Sequence, residues 1–181
     1  MNLWHDVPIG KKIPDEFNCI IEVPTGSYNK YEIDKETGLI GLDRVNYDAA
    51  PYPFDYGFVP QTLWDDGDAL DVMLLTTYPL NVGVMAKARP VAHMVMTDCG
   101  ESDDKIIAVP ADDKRFDNLQ DIGDLSPHLL KQFKLFWETR KMLKGENPND
   151  YVITISEYKG RDAAKGAIKK SIEMYKTKFA K

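Results

Sequence analysis

Residues 51–60 read P-Y-P-F-D-Y-G-F-V-P. Three prolines in ten positions rule out a long helix there. Each removes a backbone donor, fixes φ and pushes the residue before it toward extended backbone. With Tyr52, Phe54, Tyr56 and Phe58 between them, the stretch reads as extended chain and tight turns.

The neighbouring sequence has the same character. FNCIIEV (17–23) is a strand ending at Pro24-Thr25-Gly26, and KYEID (30–34) with GLIGLDRV (38–45) makes a hairpin turned by ETG. DVMLL (71–75) and KIIAVP (105–110) are strands, and VMAKARPVAHMVMTD (84–98) is one long or bent strand with Pro90 at an edge or bulge. After residue 120 the pattern changes. Ser126-Pro127 starts a helix, with Leu129, Leu130, Phe133, Phe136, Trp137 and Arg140 at helical spacing and an end near Gly145. A second helix spans 162–179, with Ala164, Ala167, Ile168, Ile172, Tyr175 and Phe179 on one stripe. A β-rich body followed by helices gives the α+β class. The 181 residues contain no repeat or linker, so one domain over 1–181 is expected, and the 43% apolar content argues against disorder.

The formal charge of −6 disfavours broad nucleic-acid binding. Cys19 and Cys99 lie too far apart in sequence for a thiolate zinc motif. No apolar run is long enough to span a membrane, and no basic start leads into a signal core. A cytoplasmic protein with no membrane or nucleic-acid partner is the expectation.

Against this background D-D-G-D-A-L-D (65–71) stands out, because it crowds aspartates against the apolar strand V-M-L-L. Gly67 permits a tight bend, Asp66 and Asp68 can share a side, and Asp71 enters the strand. Hard carboxylate oxygens suit Mg²⁺ or Mn²⁺. A calcium loop does not fit, since a start at Asp66 puts Leu70 at the third ligand position and Asp71 where glycine is needed. Alone, the cluster reads equally as a solvated acidic turn. T-D-C-G-E-S-D-D-K (97–105), with Asp98, Glu101, Asp103 and Asp104, is a second acidic strand–loop junction. Two such junctions at one end of a sheet could hold metal ions about 4 Å apart, the arrangement used in phosphoryl hydrolysis. Lys30, Arg44, Lys105 and Lys141 each read singly as surface charge, and Tyr52 and Tyr56 as core aromatics. Together with metals they suit a small phosphate anion. His93 reads as structural. No phosphate-loop, dinucleotide, zincin or nucleophile-elbow motif is present.

These residues resemble the soluble family I inorganic pyrophosphatases. The resemblance runs through IEVPTGSYNKYEIDKETG (21–38), LDR (42–44), YPFDYGFVPQT (52–62), DGDALDV (66–72), ARPVAHMVMTD (88–98) and AAKGAIKKSIEMYK (163–176), in order and over nearly the whole chain. It implies a compact, distorted five-stranded OB-like β-barrel with flanking helices, the last at the C-terminus, and a homohexamer. It implies hydrolysis of diphosphate to two orthophosphates with about three to four Mg²⁺ ions, for which Mn²⁺ or Zn²⁺ can substitute. The implied metal ligands are Asp66, Asp71, Asp98, Asp103 and Glu32, with Glu22 holding outer-shell waters and Lys105 supporting Asp103. Asp68 is similar to the family's acceptor of the proton from a metal-bridging water, and Tyr56 to the tyrosine near it. Lys30, Arg44, Lys141, Tyr52 and Arg140 would contact phosphate.

Three positions depart from the pattern. Ala69 stands where proline or glutamate is usual, which would loosen the turn around Asp68. Arg140 stands where a tyrosine usually donates to phosphate, and would either take over that contact or turn into solvent. Asp55 stands where asparagine is frequent. A phosphatase for nucleotides or sugar phosphates, and a metal-binding member without activity, remain the alternatives at this level.

Overall fold

The computed structural model describes residues 1–179. Strand β1 (Phe17–Val23) pairs on one side with β4 (Asp55–Phe58) and on the other with β6 (Met85–Asp98). β4 continues to β5 (Asp71–Leu74), β5 to β8 (Lys105–Pro110), and β8 returns to β6. Five strands therefore close a ring, in agreement with the barrel expectation. Within the ring only β5 and β8 run parallel. β2 (Asn29–Ile33) and β3 (Ile40–Val45) form a separate hairpin, and β7 (Glu101–Ser102) extends the edge of β6. The proline-rich stretch holds β4 flanked by irregular chain, as its composition requires. Pro90 sits where the β6–β8 register slips, at a bulge.

The short strands are buried on both faces, which is why DVML and KIIAV are continuous apolar runs rather than alternating ones. Period-two alternation sends Val72, Leu74, Ile106 and Ala108 to one cluster and Met73, Ile107 and Val109 to another. Helix α1 (Pro127–Thr139) packs Phe133, Phe136 and Trp137 on the second cluster, where their rings meet Tyr52, Phe54 and Tyr56. Burying each ring contributes about 2–3 kcal/mol. Helix α2 (Arg161–Phe179) lays Ala164, Ala167 and Ile168 on the first cluster. Among the described residues no helix is long and apolar enough to cross a membrane.

Two features differ from the sequence reading. α1 ends at Thr139, not near Gly145; the Arg140 N–H bonds back to the Trp137 carbonyl in a tightened last turn, and Lys141 lies beyond it. β9 (Ile153–Gly160) is a strand where the sequence reading has none; among the described residues it pairs only with β6. Its residues are buried only at Ile153 and Ile155, so its sequence carries too little alternation to announce a strand.

Candidate active site

Strand direction decides where the acids meet. β5 and β8 are parallel, with Asp71 in register with Lys105 at their starts. β6 is antiparallel to β8, so its C-terminal residue Asp98 arrives at the same end. The Asp66–Asp68 turn enters β5 at that end and Asp103 precedes β8. The two acidic junctions thus open into one cleft of about 200 Å³. The turn itself is held by the Asp68 N–H donating to Asp66 Oδ1 (3.0 Å), Trp64 N–H to the Asp68 carbonyl (2.7 Å) and Gly67 N–H to the Trp64 carbonyl (3.0 Å). Gly67 has φ +89°, a conformation that a side chain would strain.

Seven carboxylates line the cleft: Glu22, Glu32, Asp66, Asp68, Asp71, Asp98 and Asp103. Lys30, Lys35, Arg44, Arg140 and Lys141 line it too, and Lys105 reaches it from below through its acid partners. Lys105 Nζ lies 2.5 Å from Asp71 Oδ2 and also contacts Asp103. The Tyr56 hydroxyl donates to the same Asp71 oxygen. Lys141 pairs with Asp98, Lys35 with Asp68, and Lys30 with Glu32 (2.5 Å) and Asp43 (3.2 Å). Arg44 is 2.5 Å from Asp43.

Burial and mutual repulsion weaken the acids. Burial pushes Glu22 up to about 8, assisted by Asp71 and opposed by the Ile33 N–H on its Oε1 at 2.8 Å. Burial raises Asp103 to about 6 against the pull of Lys105, and raises Asp66 and Asp71 as well. Burial alone would discharge Lys105, but Asp103 and Asp71 overcome it and hold the ammonium charged. Burial raises the Tyr56 hydroxyl well above its ordinary range, so it stays a donor.

The donor set suits a hard divalent cation: the acids offer only oxygen, and Asp98 Oδ1 is buried without a hydrogen-bond partner. Among the described residues, however, no three side chains converge as a ready ligand group. Ammonium groups occupy the spaces between them. Binding a cation here therefore exchanges lysine pairs for metal bonds.

Other residues lie elsewhere than expected. Tyr52 is 1% exposed and does not line the cleft; its ring packs beneath Arg140, 4.3 Å from the guanidinium carbon. Arg140 does not turn into solvent: it lines the cleft, and its Nη2 is buried without a hydrogen-bond partner. It is 3% exposed, lies 4.2 Å from the Phe136 ring, and directs Nη1 to the Ala50 carbonyl (3.1 Å) and Asp48 (3.3 Å). Asp104 turns away, bonding His93 Nε2 (2.8 Å) and Met96 N–H (3.0 Å), which makes His93 structural as expected. Asp65 pairs on the surface with Lys170. Buried Asp55 accepts from Thr25 N–H, Leu80 N–H and Thr76 Oγ1, tying three segments together. Lys35 and Asp43 enter the site unannounced by the sequence.

The model of the inorganic pyrophosphatase family matches residues 19–176. The chain is similar to the soluble inorganic pyrophosphatase of Oryza sativa subsp. indica, 44% identical over 95% of this chain and 78% of that one. It is likewise similar to soluble inorganic pyrophosphatase 2 of Chlamydomonas reinhardtii, 42% identical over 97% and 89%.

The chain belongs to the inorganic pyrophosphatase family.

The crystal structure of inorganic pyrophosphatase from Thermus thermophilus superposes with a TM-score of 0.92 at 41% identity, over 97% of this chain and 99% of that one. The ring of strands is thus a pyrophosphatase fold, and the chain a hydrolase of that family. Within this pyrophosphatase, Ala69 is 8% exposed and packs with Trp4, Ile33 and Phe58. The hydrogen bonds that hold the Asp66–Asp68 turn come from residues 64–68, so a proline at 69 is not what fixes Asp68.

Proposed function

We propose that the chain hydrolyses inorganic diphosphate to two orthophosphates with Mg²⁺, by direct attack of water. One observation carries this reading: seven carboxylates and five cationic side chains line a single small cleft, a density of charge of both signs that suits a small polyanion held with metal cations. The six cations, Lys105 included, already face seven acids. A diphosphate bringing about three to four further negative charges is accommodated only with added divalent cations.

Asp66, Asp71, Asp98, Asp103 and Glu32 would hold those cations, with Glu22 behind them. When bound, Mg²⁺ neutralises phosphate charge and lowers the pKa of a coordinated water; Mn²⁺ or Zn²⁺ would substitute. Lys30, Arg44 and Lys141 orient phosphate oxygens and offset the charge of the leaving orthophosphate. Tyr56 donates to Asp71 and fixes that carboxylate. Asp68, at the mouth of the cleft and 43% exposed at its side chain, accepts the proton of the attacking water. No covalent enzyme intermediate is required. A cytoplasmic homohexamer belongs to the same reading, supported by family resemblance.

The test is orthophosphate release from diphosphate with Mg²⁺, with Ca²⁺ and with chelator, beside nucleotide and sugar phosphates. Rapid release from diphosphate with Mg²⁺ alone is expected. Faster release from the monoesters would assign the cleft to a different phosphatase, and cation binding without any release would make it an inactive member.

A further inference from the structure

Lys35 lies in the turn between β2 and β3, lines the cleft and places its ammonium on Asp68. Its surroundings differ from those of an ordinary surface lysine. The Lys35 carbonyl accepts from Asn2 Nδ2 at 3.3 Å, so the N-terminal segment grips the hairpin tip. Gly38 lets the two approach: a Cβ there would lie 2.6 Å from the Asn2 Cα. Asp34 braces the tip from within, accepting from the Thr37 N–H (2.7 Å) and Thr37 Oγ1 (2.6 Å), while the Gly38 N–H donates to its carbonyl (2.8 Å). The same N-terminal segment packs Trp4 against Ile33 and Phe58 at the cleft wall.

The backbone of Lys35 is thus fixed, while its side chain reaches from the hairpin tip to Asp68. Its side chain is 51% exposed, against 1% for Lys105, which is buried between two carboxylates. Of these two cations, Lys35 is the one that can change partner without uncovering a buried charge. The ammonium engages Oδ1, one of the two Asp68 carboxylate oxygens. A polyanion entering the cleft offers that ammonium a stronger partner and frees the carboxylate in the same movement.

We infer that Lys35 is a further diphosphate-binding residue, positioned by the Asn2 contact, which transfers from Asp68 to a phosphate oxygen when substrate binds. The inference rests on the diphosphatase reading of the cleft. Lys30 and Lys141, by contrast, already belong to that reading, and Lys35 adds a contact from the turn of the hairpin.

The experiment compares wild type, Lys35→Met, Lys35→Arg, Asn2→Ala and, as a control for lost charge, Lys11→Met, an exposed lysine outside the cleft. Steady-state orthophosphate release with Mg²⁺ gives kcat and KM, and calorimetry with methylenediphosphonate gives affinity without turnover. Lys35→Met is expected to raise KM and the analogue Kd by about tenfold, the loss of one hydrogen bond to a charged group. Lys35→Arg restores most of it, Asn2→Ala shows an intermediate rise, and Lys11→Met stays within about twofold of wild type. Lys35→Met with KM and Kd both within about twofold of wild type overturns the assignment. A shift equalled by Lys11→Met overturns it also, by reducing it to net charge. A wild type that releases no orthophosphate sinks the parent reading separately, and the calorimetric arm then decides on Lys35 alone: a weaker analogue in Lys35→Met supports it, an unchanged one overturns it.

Discussion

Asp71 and Lys105 are register partners across the ring's one parallel pairing, and the Lys105 ammonium stands 2.5 Å from Asp71 Oδ2. Strand pairing itself therefore fixes a cation against the most buried acid of the D-G-D-A-L-D turn. The same ammonium lies 5.3 Å from the Trp137 ring and contacts Asp103. It is a permanent counter-charge built into the floor, distinct from the lysines at the rim.

Lys105→Met keeps the apolar stem and removes that charge. Asp71 and Asp103 are left facing each other, and the variant should lose about 3 kcal/mol in chelator, near the lower end of the cost of breaking a buried pair, since both acids can take up protons. Mg²⁺ supplies a replacement charge, so the deficit should shrink when it is added. Urea unfolding in both conditions checks this. An equal deficit with and without Mg²⁺ would show that the loss is one of packing alone.

Glu22 gives a pH signature. Its carboxyl is raised from 4.5 to about 8, so between those values the folded protein keeps a proton that the unfolded chain has released. Stability is therefore lost as pH rises through this window. Glu22→Gln retains an oxygen for the Ile33 N–H and has no charge to bury. In chelator it should match wild type near pH 4 and exceed it by up to about 4 kcal/mol near pH 8. Denaturation at a series of pH values measures the difference. A gap that does not widen with pH would disprove the linkage.

Much of the site was legible because the acids and their strands are neighbours in sequence. DVML and KIIAVP announce buried strands, and each carries its carboxylates at one end, so direction alone gathers them. What could not be read depends on long-range contacts. Arg140 finds Asp48 92 positions away, and nothing in W-E-T-R-K reveals that partner. Lys35 looks like any lysine in a polar turn until the hairpin folds over Asp68. β9 is half exposed, and its strand character comes from β6. The end of α1 was overestimated because residues 140–144 lack a breaker, yet Arg140 turns inward to its ring stack and the helix stops.

The placement of Arg140 makes it a structural tie at the cleft wall. Arg140→Ala removes a guanidinium stacked on Tyr52 and Phe136 and leaves Asp48 without its partner. The expected cost is about 3 kcal/mol. A cycle with Asp48→Asn should give a coupling of about 1–3 kcal/mol. Arg140→Tyr, which restores the family's usual residue, should change both the diphosphate KM and stability, because a phenol cannot bridge to Asp48 and the Ala50 carbonyl together. Independent, additive losses in the cycle would remove the tie from the account.

The assignment of Asp68 as proton acceptor is tested by Asp68→Asn. The substitution keeps the shape of the side chain and removes its basicity. The turn should survive, because residue 68 contributes its backbone to the hydrogen bonds that hold it: the N–H to Asp66 and the carbonyl to Trp64. The side chain is also 43% exposed, and its one ion pair, with Lys35, joins two partly exposed side chains and adds little to stability. Thermal midpoint and circular dichroism should therefore match wild type. Turnover at saturating Mg²⁺ should fall by at least about 10²-fold, the lower range for loss of a positioned base. KM should change far less, since phosphate oxygens are held by Lys30, Arg44 and Lys141. A rise in KM with kcat little changed would point to a binding role instead. A kcat close to wild type would move the proton to another acceptor, and Asp66 would then be the nearest carboxylate on the same turn to examine.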